Sequence, residues 1–401
     1  MLGTSVEMAC PRAAASVARG GQTQVAPEQE ASVCPGEACL WLDLGEGMGF
    51  VDKDMRQRWN RRRFPFGDLR VIPCERKTLQ MRVSIITLTT DSSRYVDEAI
   101  GRVARARFCE LEHIVVHDGT DDFIERLAGR HPHVKLLRGN GAGATAAAAL
   151  GVRAATGDFI LFVHSDDRIC PQALGQLAIR SRARPDIRIW SGGAHIFCAG
   201  SNGEERIVRR MVGEEMTRLS LENICDDTPL LSARFCHRSV FSQIGNFDPE
   251  FSESSDREFL LRAAIAGVPE ASLGVDVSEM RMHQESRTIH LPNGSTPPYL
   301  EEHARIASRW LGHAELSAAV RRFLRNWRAR EMLRLIVYQG RAGQWRKAAL
   351  AVLRELSADP LWIFRTLTII GARRRRHRSC DWNVVDHSRR HQRAVEARNE
   401  A

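Results

Sequence analysis

The sequence predicts an α/β domain with a mostly parallel sheet. From Met81 onward, short β-branched runs alternate with longer segments of helical spacing, and polar clusters stand at the ends of the apolar runs. Beyond Tyr299 the pattern turns wholly helical.

Val83 to Leu88 reads as a strand, Ser93 to Arg105 as a helix, Glu112 to Val116 as a strand and Asp121 to Arg130 as a helix. Val134 to Leu137 then reads as a strand, Ala144 to Ala155 as a helix and Phe159 to Val163 as a strand. Pro171 to Ser181 follows as a helix with proline in its first turn. After Ser191 the pattern loosens into loops and shorter elements. Asp256 to Ala266 is an amphipathic helix that Gly267 ends. EEHARIASRWL, AELSAAVRRFLRNW and QWRKAALAVLREL are further helices, and Pro360 to Ala372 is the last candidate.

Residues up to about Gln80 lack a sustained period, apart from a short element at Cys39 to Leu44. The expected organisation is a mostly disordered leader at 1–80 and an α/β domain at 81–296. A helical extension with a basic end at 297–378 and a polar tail at 379–401 complete it.

Among 401 residues, Lys and Arg outnumber Asp and Glu by 58 to 49. The excess is uneven: from Ser317 onward there are about 20 basic and 7 acidic residues, which leaves the rest mildly acidic. The ten cysteines form no C-x-x-C pair and no zinc spacing, which suits a reducing cytosol. No apolar run reaches about 18 residues and the N-terminus has no apolar signal core, so neither a spanning helix nor secretion is expected.

In open parallel sheets, ligands bind beyond the carboxyl ends of strands. Three such ends carry polar clusters here: TLTTD at Thr87 to Asp91, HDGTDD at His117 to Asp122, and HSDD at His164 to Asp167. Left unpaired, Asp166 and Asp167 repel each other. Two carboxylates on such a turn suit Mg²⁺ or Mn²⁺, which prefer oxygen ligands and share their shell with water and phosphate. The plainer reading makes Asp166 a helix cap and Asp167 a solvated acid. Asp118, with Gly119 allowing a tight turn, is suited to accept hydrogen bonds from a nucleotide; otherwise it forms an Asx-turn or an N-cap.

A rival motif lies between these clusters. Gly141-Ala-Gly143-Ala-Thr-Ala146 matches G-x-G-x-x-A and opens an Ala-rich helix, as a dinucleotide-binding loop would, and it supports an NAD(P)-dependent oxidoreductase as the alternative. Arg138, Gly139 and Asn140, however, separate the preceding strand from its glycines.

VSIITLTTDSSRYVDEAIGRV, LEHIVVHDGTDD and AALGVRAATGDFILFVHSDDRICPQAL resemble successive blocks of the family 2 inverting glycosyltransferases. CHRSVFSQIGNFDPEFSESSDREFLLRAAIAG resembles that family's acceptor region and MRMHQESRT its closing Arg-x-His segment, so the likeness runs from about Met81 to Thr288. It implies the GT-A fold, a Rossmann-like nucleotide-diphospho-sugar transferase sandwich. It also implies Thr87 and Thr89 beside the nucleotide base, Asp118 hydrogen-bonded to that base, and Asp166 on the sugar nucleotide. Asp167 is the first choice of ligand for Mg²⁺ or Mn²⁺, with Asp166 and His283 as further ligands, and Arg281 and Arg287 add charge near the diphosphate. Asp256, at a helix start, takes the position of the base that deprotonates the acceptor hydroxyl.

The implied partners are a nucleoside diphosphate sugar and a saccharide or lipid-linked acceptor, as in polysaccharide or glycolipid assembly. A catalytically inactive binding module is a third reading. Departures from the family pattern are His164 where a first acid is common, and Ala148 and Ala149 where Arg-Asn is frequent. The basic Arg373 to Arg378, after an apolar run too short to span a bilayer, predicts an interfacial helix on anionic lipid. The expected location is therefore cytoplasmic, peripheral on the inner face of the membrane. Sequence-specific nucleic-acid binding is not expected.

Overall fold

The computed structural model describes residues 81–90, 95–106, 110–119, 122–199, 204–212, 217–226, 229–283, 297–364, 366–368 and 371, together with the backbone of three short strands before residue 81. Those strands, β1 (Leu40–Asp43), β2 (Met48–Val51) and β3 (Val71–Pro73), pair antiparallel in the order β2-β1-β3. The rest of the expected leader, Arg287, the basic run Arg373 to Arg378 and the tail lie outside the described residues.

A nine-stranded sheet organises the remainder. It begins with β4 (Arg82–Thr89), α1 (Val96–Ala104), β5 (Glu110–His117), α2 (Phe123–Arg130), β6 (Lys135–Arg138), α3 (Ala144–Ala154) and β7 (Phe159–His164). The strands β6-β5-β4-β7 lie side by side and parallel, with helices α1, α2 and α3 making the connections β4 to β5, β5 to β6 and β6 to β7.

Next come β8 (Arg168–Ile169), α4 (Pro171–Ala183), β9 (Ile189–Ala199), β10 (Glu205–Met211), α5 (Leu221–Asp226), β11 (Arg234–His237), α6 (Arg238–Ile244), α7 (Ser255–Ile265) and β12 (Glu270–Arg281). They extend the sheet as β7-β11-β9-β12-β8, with β10 paired to β9. β11 runs antiparallel to both its neighbours, while β12 runs parallel to β9. Three helices close the described chain: α8 (Tyr299–Leu311), α9 (Ala318–Arg341) and α10 (Trp345–Ala358).

Both faces of the sheet are covered, which is why its central strands are apolar throughout. Side chains alternate between two cores: Ile86, Ile160 and Phe162 join α3 and α7 on one face. Val83, Ile85, Leu161 and Val163 join α4 on the other. Gly151 lets α3 close on the sheet, since a Cβ there would stand 2.6 Å from Ile86 Cγ2. Ala148 is buried in this helix–sheet contact, where its small size serves packing, and Ala149 beside it is buried too.

The sequence expectation of loops and shorter elements after Ser191 holds for 221–244 but misses a long strand pair. β9 and β12 are the two longest strands among the described residues and pair along most of their length. Gly192 and Gly193 masked the strand pattern. They sit where β12 passes closely: a Cβ on Gly192 would lie 2.4 Å from Val277 Cγ2, and one on Gly193 2.2 Å from Asp276 Oδ1.

Candidate active site

The register Leu88↔His164 and Thr89↔His117 brings the carboxyl ends of β7, β4 and β5 to one rim. Polar clusters at residues 89, 117 and 164, far apart in sequence, thereby meet. Thr89 and His117 are buried at this edge, and the turn after β5 is tight. A Cβ on Gly119 would fall 2.3 Å from the Thr90 carbonyl oxygen and 2.6 Å from the His117 ring. Thr87 lies further inside. Its Oγ1 shares a 3.0 Å hydrogen bond with His113 Nε2, and both side chains are buried. Burial pushes the His113 pKa down to about 3, so the ring is neutral near pH 7. Thr87 thus braces the rim from beneath, and Thr89 is the residue of the pair at its edge.

Asp118 neither caps α2 nor forms a simple Asx-turn. Its Oδ1 accepts the Gly141 N–H at 3.0 Å and its Oδ2 the Gly143 N–H at 2.7 Å. Gly141 and Gly143 have φ of 74° and 92°, and a Cβ on Gly139 would lie 2.2 Å from Asp118 Oδ1. The glycine loop therefore wraps a carboxylate of its own chain. A dinucleotide-binding loop would turn those amides to a pyrophosphate, so the oxidoreductase alternative loses its basis. The loop passes its order on: in the first turn of α3, Thr145 Oγ1 donates to the Phe251 carbonyl at 3.0 Å and lies 3.0 Å from Ser255 Oγ, at the start of α7.

The two adjacent carboxylates after β7 go opposite ways. Asp167 turns inward and is 4% exposed; its Oδ1 accepts the Arg281 backbone N–H at 2.8 Å. Burial, with Asp166 adding to it, lifts its pKa to about 7 against the opposing charges of His164 and Arg281. Asp166 remains at the surface of the site, its Oδ2 2.9 Å from His283 Nε2. Arg281 locks the turn: its Nε donates to the Asp166 carbonyl at 3.1 Å and its guanidinium reaches Glu98 at 2.5 Å. The same guanidinium lies 4.2 Å from the Tyr95 ring centroid and 4.7 Å from that of Phe197.

The donor set fits a hard divalent cation. Adjacent ligands of an octahedral Mg²⁺ or Mn²⁺ with bonds near 2.1 Å stand about 3 Å apart, and Asp166 Oδ2 and His283 Nε2 match that spacing. No cluster of three or more His, Cys, Asp or Glu ligands forms among the described residues. An ion here would take its other ligands from phosphate and water. Asp167, the first ligand expected from the sequence, is buried and held by the Arg281 amide, whereas Asp166 and His283 stand together nearer the surface.

Asp256 occupies the second position of α7, half-buried, and its Oδ1 accepts the Arg257 N–H at 2.7 Å. Burial raises its pKa, while Arg257 and His164 act in the opposite sense. The exposed His164 thus acts electrostatically on both Asp167 and Asp256. Glu302 of α8 holds the segment before α7. Its Oε1 accepts the Ser252 N–H at 2.9 Å and the Ser252 hydroxyl at 3.1 Å, and its Oε2 accepts the Glu253 N–H at 2.9 Å. Sequence reading missed Glu302, which belongs to no motif, and gave no role to Tyr95 and Thr145 within the segments that it quoted.

The mostly parallel sheet carries a carboxylate–imidazole pair at its rim. Residues 84–229 match the model of glycosyl transferase family 2. An uncharacterized glycosyltransferase of Mycobacterium tuberculosis is 27% identical over 198 residues, covering 47% of this chain and 70% of that protein. The crystal structure of S. aureus TarS 1-349 superposes with a TM-score of 0.47 at 18% identity, covering 74% of this chain and 92% of that one. The mannosyltransferase PcManGT from Pyrobaculum calidifontis, in complex with GDP-Man and Mn²⁺, gives 0.45 at 14% identity, covering 78% and 89%.

Proposed function

We propose that the chain transfers one sugar from a nucleoside diphosphate sugar to an acceptor hydroxyl, with inversion at the anomeric carbon and with help from Mn²⁺ or Mg²⁺. The observation that carries the reading is the 2.9 Å approach of Asp166 to His283 on the rim that also carries Asp118 and Thr89. Asp166 and His283 would hold the cation, which supplies charge stabilisation for the departing diphosphate. Asp167 keeps the turn in place through the Arg281 amide. Asp118 retains lone pairs beyond its two glycine bonds and would accept a hydrogen bond from the nucleotide base. Asp256, with its raised pKa, accepts the acceptor's proton as that oxygen attacks the face opposite the leaving group. The acceptor class proposed is a saccharide or lipid-linked saccharide, as in polysaccharide or glycolipid assembly at the cytoplasmic side of a membrane.

A thermal-shift panel of UDP, GDP, CDP and dTDP, each with and without Mn²⁺, tests this site. Stabilisation by one nucleotide that deepens with Mn²⁺ is expected. Melting that none of the four moves would rule the site out.

A further inference from the structure

Large apolar side chains are seldom left outside, yet Trp345, Leu350, Leu353, Leu361, Phe364 and Leu367 are each 55–70% exposed. With Ile363 they make seven of the ten exposed large hydrophobic residues found among the described residues, within 23 positions of the chain. Such concentration marks an interaction surface rather than scattered surface residues.

Two consecutive helical segments present it. In α10 the inward face carries Ala348 and Glu355, seven residues apart, and Glu355 is tied to Arg328 by two 2.6 Å bonds. Helical spacing puts Leu350 and Leu353 on the opposite face. Residues 362–364 and 366–368 are helical too. There Trp362 and Thr366 point inward, with Thr366 Oγ1 donating to the Trp362 carbonyl at 2.7 Å. Leu361, Phe364 and Leu367, at three-residue steps, form the outward stripe.

The charges choose the partner. On these segments Arg346, Lys347 and Arg354 are exposed, whereas the acid Glu355 is buried and Asp359 is turned to the Leu361 N–H at 3.1 Å. By helical spacing Arg346 projects between Leu350 and Leu353. In a two-fold contact between copies this face would meet itself, cation against cation, in the middle of an apolar patch. A lipid surface has no such conflict: the apolar side chains enter the acyl boundary, Trp345 and Phe364 suit the interface, and the cations extend to anionic headgroups. No helix among the described residues is long and apolar enough to cross a bilayer, so this contact lies along the surface. The geometry points to the outward face of α10, with Leu361, Phe364 and Leu367, as a docking surface for an anionic membrane.

The inference stands apart from the transferase reading, and its test is separate. The full chain is sedimented with vesicles of equal parts phosphatidylglycerol and phosphatidylcholine, and with phosphatidylcholine alone. Binding to the first and not the second is expected, with loss in the Leu350→Ser/Phe364→Ser variant. Replacing Arg346, Lys347 and Arg354 by Gln should weaken partition about a hundredfold. Thermal melts check that the variants fold. Should the serine variant melt early, the glutamine variant, which alters only exposed charges, decides alone. Absence of wild-type binding overturns the proposal, as does binding unchanged in both variants. A chain that ignores vesicles but forms a dimer that Phe364→Ser breaks would assign the surface to a second copy instead.

Discussion

Asp118 Oδ2 accepts the Gly143 N–H at 2.7 Å, and this bond joins the end of β5 to the start of α3. Together with the Gly141 bond it turns a sequence that imitates a dinucleotide-binding loop into a cradle for the chain's own carboxylate. Asp118→Ala should leave two amides without their charged acceptor and cost about 2–4 kcal/mol. Asp118→Asn should cost less but misplace a donor against the glycine N–H groups. Urea unfolding measures the loss, and nucleotide titration should weaken in parallel.

Asp166 and His283 are expected to act as a unit. His283→Ala should abolish most of the added stabilisation that Mn²⁺ gives a bound nucleotide, while leaving the weaker metal-free shift. Asp166→Asn should do the same. A thermal-shift titration of Mn²⁺ at fixed nucleotide reads both, and a wild-type metal response in either variant would remove that residue from the cation site.

Asp256→Asn should lower kcat about 10²- to 10⁴-fold and spare nucleotide binding, as expected for a group that takes a proton in the transition state. Because burial raises its pKa, the acid limb of the rate profile should lie above the pH at which an ordinary aspartate titrates. Rate falls as pH drops through that limb, since the protonated carboxyl cannot act as base.

The parallel half of the sheet was legible because β4, β5 and β7 are buried on both faces and read as apolar runs between helices. β9 was not, since glycines needed for the close pass of β12 imitate a loop in sequence. At the site, adjacency singled out Asp166 and Asp167 but not their division of labour. That depends on the amide of Arg281, over a hundred residues away. Glu302 was illegible for the same reason: its partners are backbone N–H groups, which leave no trace in residue type.

Glu302 ties α8 to the segment before α7, so we expect it to be a positioning residue. Glu302→Gln replaces one acceptor oxygen by a donor facing an N–H group, and should loosen residues 252–254 at the entry to the Asp256 helix. Stability should fall by about 1–3 kcal/mol. The telling readout is steady-state kinetics: kcat should fall with the donor KM nearly unchanged. A rise in KM alone would place Glu302 at the donor instead.

His113 supplies the acid sensitivity of the rim. Its folded pKa is depressed to about 3 by burial, with His133 and His131 adding to the effect, so the unfolded chain binds the proton first as pH falls. The sign follows from that order. Above the ordinary histidine pKa the group contributes no pH slope, and between about 6.5 and 3 the folded state loses stability with every step down. The loss reaches a few kcal/mol at the acid end. His113→Gln can keep a hydrogen bond to Thr87 without titrating. Its unfolding free energy should therefore be lower than wild type at pH 8 but decline less steeply between pH 6 and pH 4. Parallel wild-type and variant slopes in chemical denaturation across that range would show that His113 titrates normally in the folded protein.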